Sequence, residues 1–168
     1  MDPSNVKLTL AYDGTDFHGF QRQPGLRTVQ GVLEDWLFEA SGQTVDVTGA
    51  SRTDAGVHAR DQAVQFSASM IKVPTARLLA YARGTLPVDL VIKDVELVPE
   101  DFNVRFAARW ETYRYSLDLG KVPDVFMRRY AMHVPRELDE DAMREAASYF
   151  VGTHDFKVSK PKYSSIDR

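Results

Sequence analysis

Val45-Asp46-Val47-Thr48-Gly49-Ala50, then Ser51-Arg52-Thr53-Asp54-Ala55-Gly56-Val57-His58-Ala59, then Ala63-Val64-Gln65-Phe66-Ser67-Ala68 read as a strand, a polar connection and a second strand. A charged pair in the turn between two strands sits at a rim, where a solute can reach it. If the backbone stays extended there, Arg52 and Asp54 point to one face. The guanidinium would then keep the carboxylate ionised, with an attraction of roughly 4 kcal/mol before solvation costs. An ionised, positioned carboxylate is a nucleophile or a base. The plain alternative is a hairpin turn in which the Asp bonds its own backbone and the Gly supplies a positive φ.

Outward from this hairpin the periodicity changes on both sides. Val6, Leu8, Leu10 and Tyr12 alternate with Lys7, Thr9 and Ala11, as a half-buried strand does, and Asp13-Gly14 ends it. Val29, Val32, Leu33, Trp36, Leu37 and Ala40 share one helical face, with Thr28 as N-cap and Ser41-Gly42 as the stop. Downstream, Pro74 suits a first helical turn. Ala76, Leu79, Ala80 and Ala82 continue that helix to Gly84, and Leu90 to Val98 reads as a strand closed by Pro99. Strand, helix, strand, strand, helix, strand predicts an α+β fold of the ferredoxin-like, RRM-like kind, an antiparallel sheet with helices on one face. That domain is expected to fill residues 1–100.

Residues 101–168 predict a second α+β unit that is incomplete. Arg105 to Leu117 reads as a long strand, 130–134 as a short one, and Ala142, Met143, Ala146, Ala147 and Phe150 mark a helix ending near Gly152. The tail at 157–165 is polar and without period. One helix and one long strand bury little core on their own.

Composition narrows the function classes. The chain has 168 residues, 43% hydrophobic and 27% charged, the balance of an ordinary globular protein. No apolar run is long enough to span a bilayer and Met1-Asp2-Pro3-Ser4-Asn5 does not read as a signal sequence, so a cytoplasmic protein is expected. With no cysteine, disulfides and thiolate chemistry are excluded. Net charge is −3, and residues 134–150 account for it, with five acids against Arg136 and Arg144. The remainder is balanced and arginine-rich, which permits a local phosphate-binding groove. His18, His58, His133 and His154 lack paired ligand spacing, so no metal site is expected. Asp13 and Asp54 do not sit in the motif of an aspartic-protease dyad, and no phosphate loop or dinucleotide fingerprint is present.

Arg52-Thr53-Asp54-Ala55-Gly56-Val57-His58-Ala59 resembles the signature around the nucleophilic aspartate of the TruA-type tRNA pseudouridine synthases. Three further stretches are similar to motifs of that family, in its order. They are Tyr12 to Pro24 with Thr28-Val29-Gln30 and Leu33-Glu34, then Arg105-Phe106-Ala107-Ala108 with Thr112-Tyr113-Arg114-Tyr115, then Gly152-Thr153-His154-Asp155-Phe156. The resemblance implies isomerisation of uridine to pseudouridine at positions 38–40 of the tRNA anticodon stem-loop, without cofactor or metal, by a homodimer.

By the same resemblance Asp54 is the catalytic group, Tyr113 stacks on the target base and Tyr115 lies in the core. Arg52 fills the space the base vacates or holds a phosphate, and Tyr12 to Pro24 frames the site or touches RNA. Glu111 departs from the family, which often carries a basic residue there. The family's second domain runs on and supplies a basic partner for the aspartate, so these 168 residues alone are expected to be catalytically incomplete. The rival readings are a non-catalytic RNA-binding module and a hydrolase using Asp54. The first needs exposed aromatics on the central strands, where Ala63–Ser69 offers only Phe66; the second lacks an acid–base partner.

Overall fold

A computed structural model of the chain describes residues 5–71 and 74–156, so the polar tail at 157–165 lies outside the described residues. The alternating run becomes strand β1, Asn5–Tyr12, in which Val6, Leu8, Leu10 and Tyr12 are buried and their neighbours are not. Helix α1, Val29–Ser41, opens on Thr28, whose Oγ1 accepts from the Gly31 amide at 3.2 Å. It closes at Gly42, left-handed at φ 68°, whose N–H donates to Phe38 O. Val29, Leu33, Trp36 and Leu37 turn inward on the expected face.

Strand β2, Thr48–Gly49, is shorter than the apolar run around it. Val45 and Val47 are buried, but the Val47 backbone is bonded to α1 and not to a strand. Gln30 Nε2 donates to Val47 O at 2.9 Å, and the Val47 amide donates to Glu34 Oε1 at 3.1 Å. A peptide group satisfied by side chains is lost to the ladder, so pairing starts only at Thr48. Strand β3, Ala59–Ser67, begins earlier than its apolar run because Ala59 already faces Tyr12 of β1.

Helix α2 is Thr75–Thr85, with Pro74 just before its first turn. Leu78 and Ala82, four apart, carry its buried side while Ala80 is exposed, a phase that the cluster of alanines and leucines blurs. Trp36 Nε1 donates to Thr85 Oγ1 at 2.8 Å and the Trp36 and Tyr81 rings stack, which ties α1 to α2. Strand β4 is Leu90–Val98. The sheet order is β2-β3-β1-β4 with every neighbour antiparallel, the split βαβ arrangement expected. Side chains of α1 and α2 join the inward residues of β1, β3 and β4 in one apolar core.

The expected strand from Arg105 to Leu117 is not formed. Asn103 caps a short helix α3, Val104–Ala107, and residues 108–116 have no regular structure. The Met132 amide donates to Ser116 O at 2.9 Å, but residues 108–115 belong to no sheet ladder, and an extended segment outside a ladder has no reason to stay a strand. Strand β5, Leu117–Asp118, pairs in parallel with β6, Met132–His133. Helix α4, Glu140–Ser148, starts at Asp139, whose carboxylate accepts from the Ala142 amide at 2.9 Å.

Two compact units result, Met1–Tyr113 and Arg114–Arg168. Residues 102–105 belong by their bonds to the first. Gln65 Nε2 donates to Phe102 O at 3.2 Å and Gln65 Oε1 accepts from the Val104 amide at 2.5 Å. Beyond Val104 no described residue is buried, and Tyr115, expected in the core, is 92% exposed.

Candidate active site

The connection between β2 and β3 is held from beneath by Gln62, a buried polar residue of β3. Its Nε2 donates to Ser51 O at 2.8 Å, and the Ala50 amide donates to Ala63 O as the last ladder bond. From Thr53 onward the supports come from the segment after β1. The Tyr12 hydroxyl bonds Thr53 Oγ1 at 2.8 Å, the Phe20 amide donates to Thr53 O at 2.9 Å, and the Gly56 amide donates to Phe17 O at 3.2 Å. His58 Nδ1 accepts from the Gly14 amide at 3.0 Å and lies 3.1 Å from Asp13 Oδ1.

Two glycines make this approach possible. A Cβ on Gly14 would lie 2.1 Å from Val57 O, closer than any side chain tolerates. Gly19 has φ 84°, and a Cβ there would meet Thr53 O at 3.0 Å. The stretch from Tyr12 to Phe20 is therefore the bed on which the Asp54 loop rests. Sequence reasoning treated it as framing; its signal was the pair of glycines among aromatics, but the partner 40 residues away left no mark in the local pattern. Burial raises the Tyr12 phenol above its usual range, and the bond to Thr53 offsets part of that.

On this bed Asp54 opens a turn in which its own carbonyl accepts from the Val57 amide at 3.1 Å, with Gly56 at φ 81°. Its side chain is exposed, and among the described residues nothing bonds or pairs with the carboxylate. The expected Arg52–Asp54 ion pair is absent. Both groups are solvated, where such a pair gains about 1 kcal/mol or less and costs side-chain freedom. Arg52 instead lines a small recess with Phe20, Gln21, Gln30, Gly49 and Arg105. Arg105 Nε donates to Gly49 O at 3.4 Å, and the Phe20 ring lies where a Cβ on Gly49 would be. Tyr113 closes the first unit in irregular backbone, is 69% exposed, and does not line this recess. Among the described residues no three histidine, cysteine, aspartate or glutamate side chains are grouped to hold a metal ion, and no helix is long and apolar enough to cross a membrane.

The sequence profile of the tRNA pseudouridine synthase family matches residues 9–107, a span that includes the Asp54 loop and its bed. The chain belongs to the tRNA pseudouridine synthase family. Relatives named tRNA pseudouridine synthase A agree over nearly all of its length. That of Lactobacillus delbrueckii subsp. bulgaricus is 44% identical over 154 residues, 91% of this chain and 59% of the relative. That of Brevibacillus brevis is 46% identical over 151 residues, 90% of this chain and 62% of the relative. For Acetivibrio thermocellus the identity is 41% over 161 residues, 96% and 66% of the two chains. The chain thus spans roughly three-fifths to two-thirds of the length of these synthases.

Proposed function

We propose that this protein isomerises uridine to pseudouridine in tRNA, with Asp54 as the catalytic group, and that the target lies at positions 38–40 of the anticodon stem-loop. The observation that carries the reading is a solvent-facing carboxylate, free of any partner among the described residues, on a loop anchored at Thr53, Gly56 and His58. A group so placed is open to a bound nucleotide on a loop fixed at three points, which is the geometry that attack requires.

The reaction breaks N1–C1′ and forms C5–C1′. The C5 proton is lost and N1 gains one, with no net redox change. Asp54 engages ribose C1′ or uracil C6 while the base turns. Reaching a base in a helical arm means extruding it, at a cost of a few kcal/mol. Stacking on an exposed ring returns roughly 1–3 kcal/mol per base, and Tyr113 is assigned to that task. Arg52 is assigned to the substrate. We further assign the active assembly to a homodimer in the cytoplasm, acting without cofactor.

The binding-module alternative is disfavoured by the central strands. Phe66 of β3 is 2% exposed and Tyr12 of β1 is buried, so neither can serve as the open stacking platform such a module needs. The deciding experiment is Asp54→Asn, which keeps the volume and removes the charge. In a full-length form of this protein, pseudouridine formation should be abolished while tRNA affinity stays within a few-fold. Near-normal turnover in that variant would overturn the assignment.

A further inference from the structure

We infer that Arg52 and Arg105 together form a seat for one backbone phosphate of the bound RNA, beside the nucleotide presented to Asp54. This rests on the synthase reading and adds to it a second arginine and a defined anion site. Elsewhere in the chain arginines near carboxylates are neutralised. Arg22 meets Glu34 and Asp35, Arg27 meets both oxygens of Asp89, and Arg144 meets Glu140 and Asp141. Arg52 and Arg105 face one recess, no carboxylate lines it, and among the described residues neither takes an acidic partner.

The lining is also short of acceptors. Gly49 O is taken by Arg105 Nε, Val47 O by Gln30 Nε2, and Gln30 Oε1 by the Arg22 amide. What remains is mainly donors, the Nη groups of Arg105 and the whole guanidinium of Arg52, with the Gln21 side-chain amide beside them offering one donor and one acceptor group. Two uncompensated guanidiniums repel each other, and an oxyanion between them relieves that and takes up the spare N–H groups.

The recess, about 70 Å3, has room for a phosphate group. Gly49 and the Phe20 ring fix its floor, since any side chain at 49 would displace the ring. Arg52 is two residues before Asp54, so a phosphate held here fixes the register of the adjoining ribose against the carboxylate.

The test is binding of a tRNA transcript to the protein across a salt series, for the parent, Arg52→Gln, Arg105→Gln, the double variant and Arg105→Lys. Each single Gln variant should bind about ten-fold more weakly. Each should also lower the slope of log affinity against log salt by about one. Because both side chains hold one phosphate, the double variant should lose about the same slope as either single one, and Arg105→Lys should restore most of it. An unmoved thermal midpoint separates this from a structural role for the Arg105–Gly49 bond.

Unchanged affinity and slope in Arg105→Gln would overturn the seat, as would additive losses in the double variant. Saturable binding of inorganic phosphate that Arg105→Gln abolishes, with tRNA binding unmoved, would reassign the site to a free anion. Pseudouridine formation is measured in parallel. A full-length form of the protein that makes none, while the Gln variants still weaken binding, sinks the synthase reading and leaves the seat; the reverse pattern sinks the seat alone.

Discussion

At the scale of single residues, Tyr113 and Tyr12 show how position decides what an aromatic hydroxyl is for. Tyr113 is exposed, and if it serves by stacking, its ring matters and its hydroxyl does not. Tyr113→Phe should keep most pseudouridine-forming activity and Tyr113→Ala should lose far more; equal losses would point to proton transfer instead. Tyr12 is the opposite case, buried with its hydroxyl on Thr53. Its phenol is raised by burial, so the folded state holds the proton more tightly than the unfolded chain does. Below the ordinary value near 10 this adds nothing to the pH dependence. As pH climbs past it the unfolded state ionises first, and stability falls until the folded phenol ionises too. Denaturant titrations from pH 9 to 11 should show that decline in the parent and less of it in Tyr12→Phe; parallel curves would contradict the burial. The family of the Asp54 loop was legible in the sequence because its neighbours form a specific signature, within the span that the family profile matches. The closeness of Gly14 to Val57 was not, because it is a contact between distant residues and a glycine carries no pattern of its own.

At the scale of elements, legibility followed how far a segment's fate was settled by its own side chains. Strand β1 and helix α1 have clean periods and a working cap, and both formed where expected. Leu37 sits on the buried face of α1 with no exposed surface, so Leu37→Ala should destabilise the first unit by roughly 2–5 kcal/mol in denaturant unfolding. A loss below about 0.5 kcal/mol, as at surface sites, would mean that this face is not packed. Strand β2 came out shorter because Gln30 and Glu34 reach across and take the Val47 backbone, an interaction that no local window reveals. The run from Arg105 to Leu117 alternates well enough to read as a strand. Yet a strand is a property of two segments, and its second segment is missing among the described residues.

At the scale of the whole molecule, apolar burial is uneven. Every described buried residue lies at or before Val104, whereas Val125, Phe126, Tyr130, Tyr149, Phe150 and Val151 are exposed. Residues 1–113 expressed alone should therefore unfold cooperatively with a midpoint close to that of the 168-residue chain, read by circular dichroism. The longer chain, with its apolar surface, should elute above its 19.0 kDa while the shorter piece runs as a monomer. A strongly lowered midpoint for 1–113 would show that the second unit supports the first. The clasp between Tyr12 and Thr53 carries one more consequence. Tyr12 is the last residue of β1, an interior strand, so the loop bearing Asp54 is tied to that strand as well as to the β2–β3 pair it joins. Such a site has no melting of its own. On warming, catalytic competence and sheet should vanish together, without a window in which an intact scaffold carries a loosened aspartate.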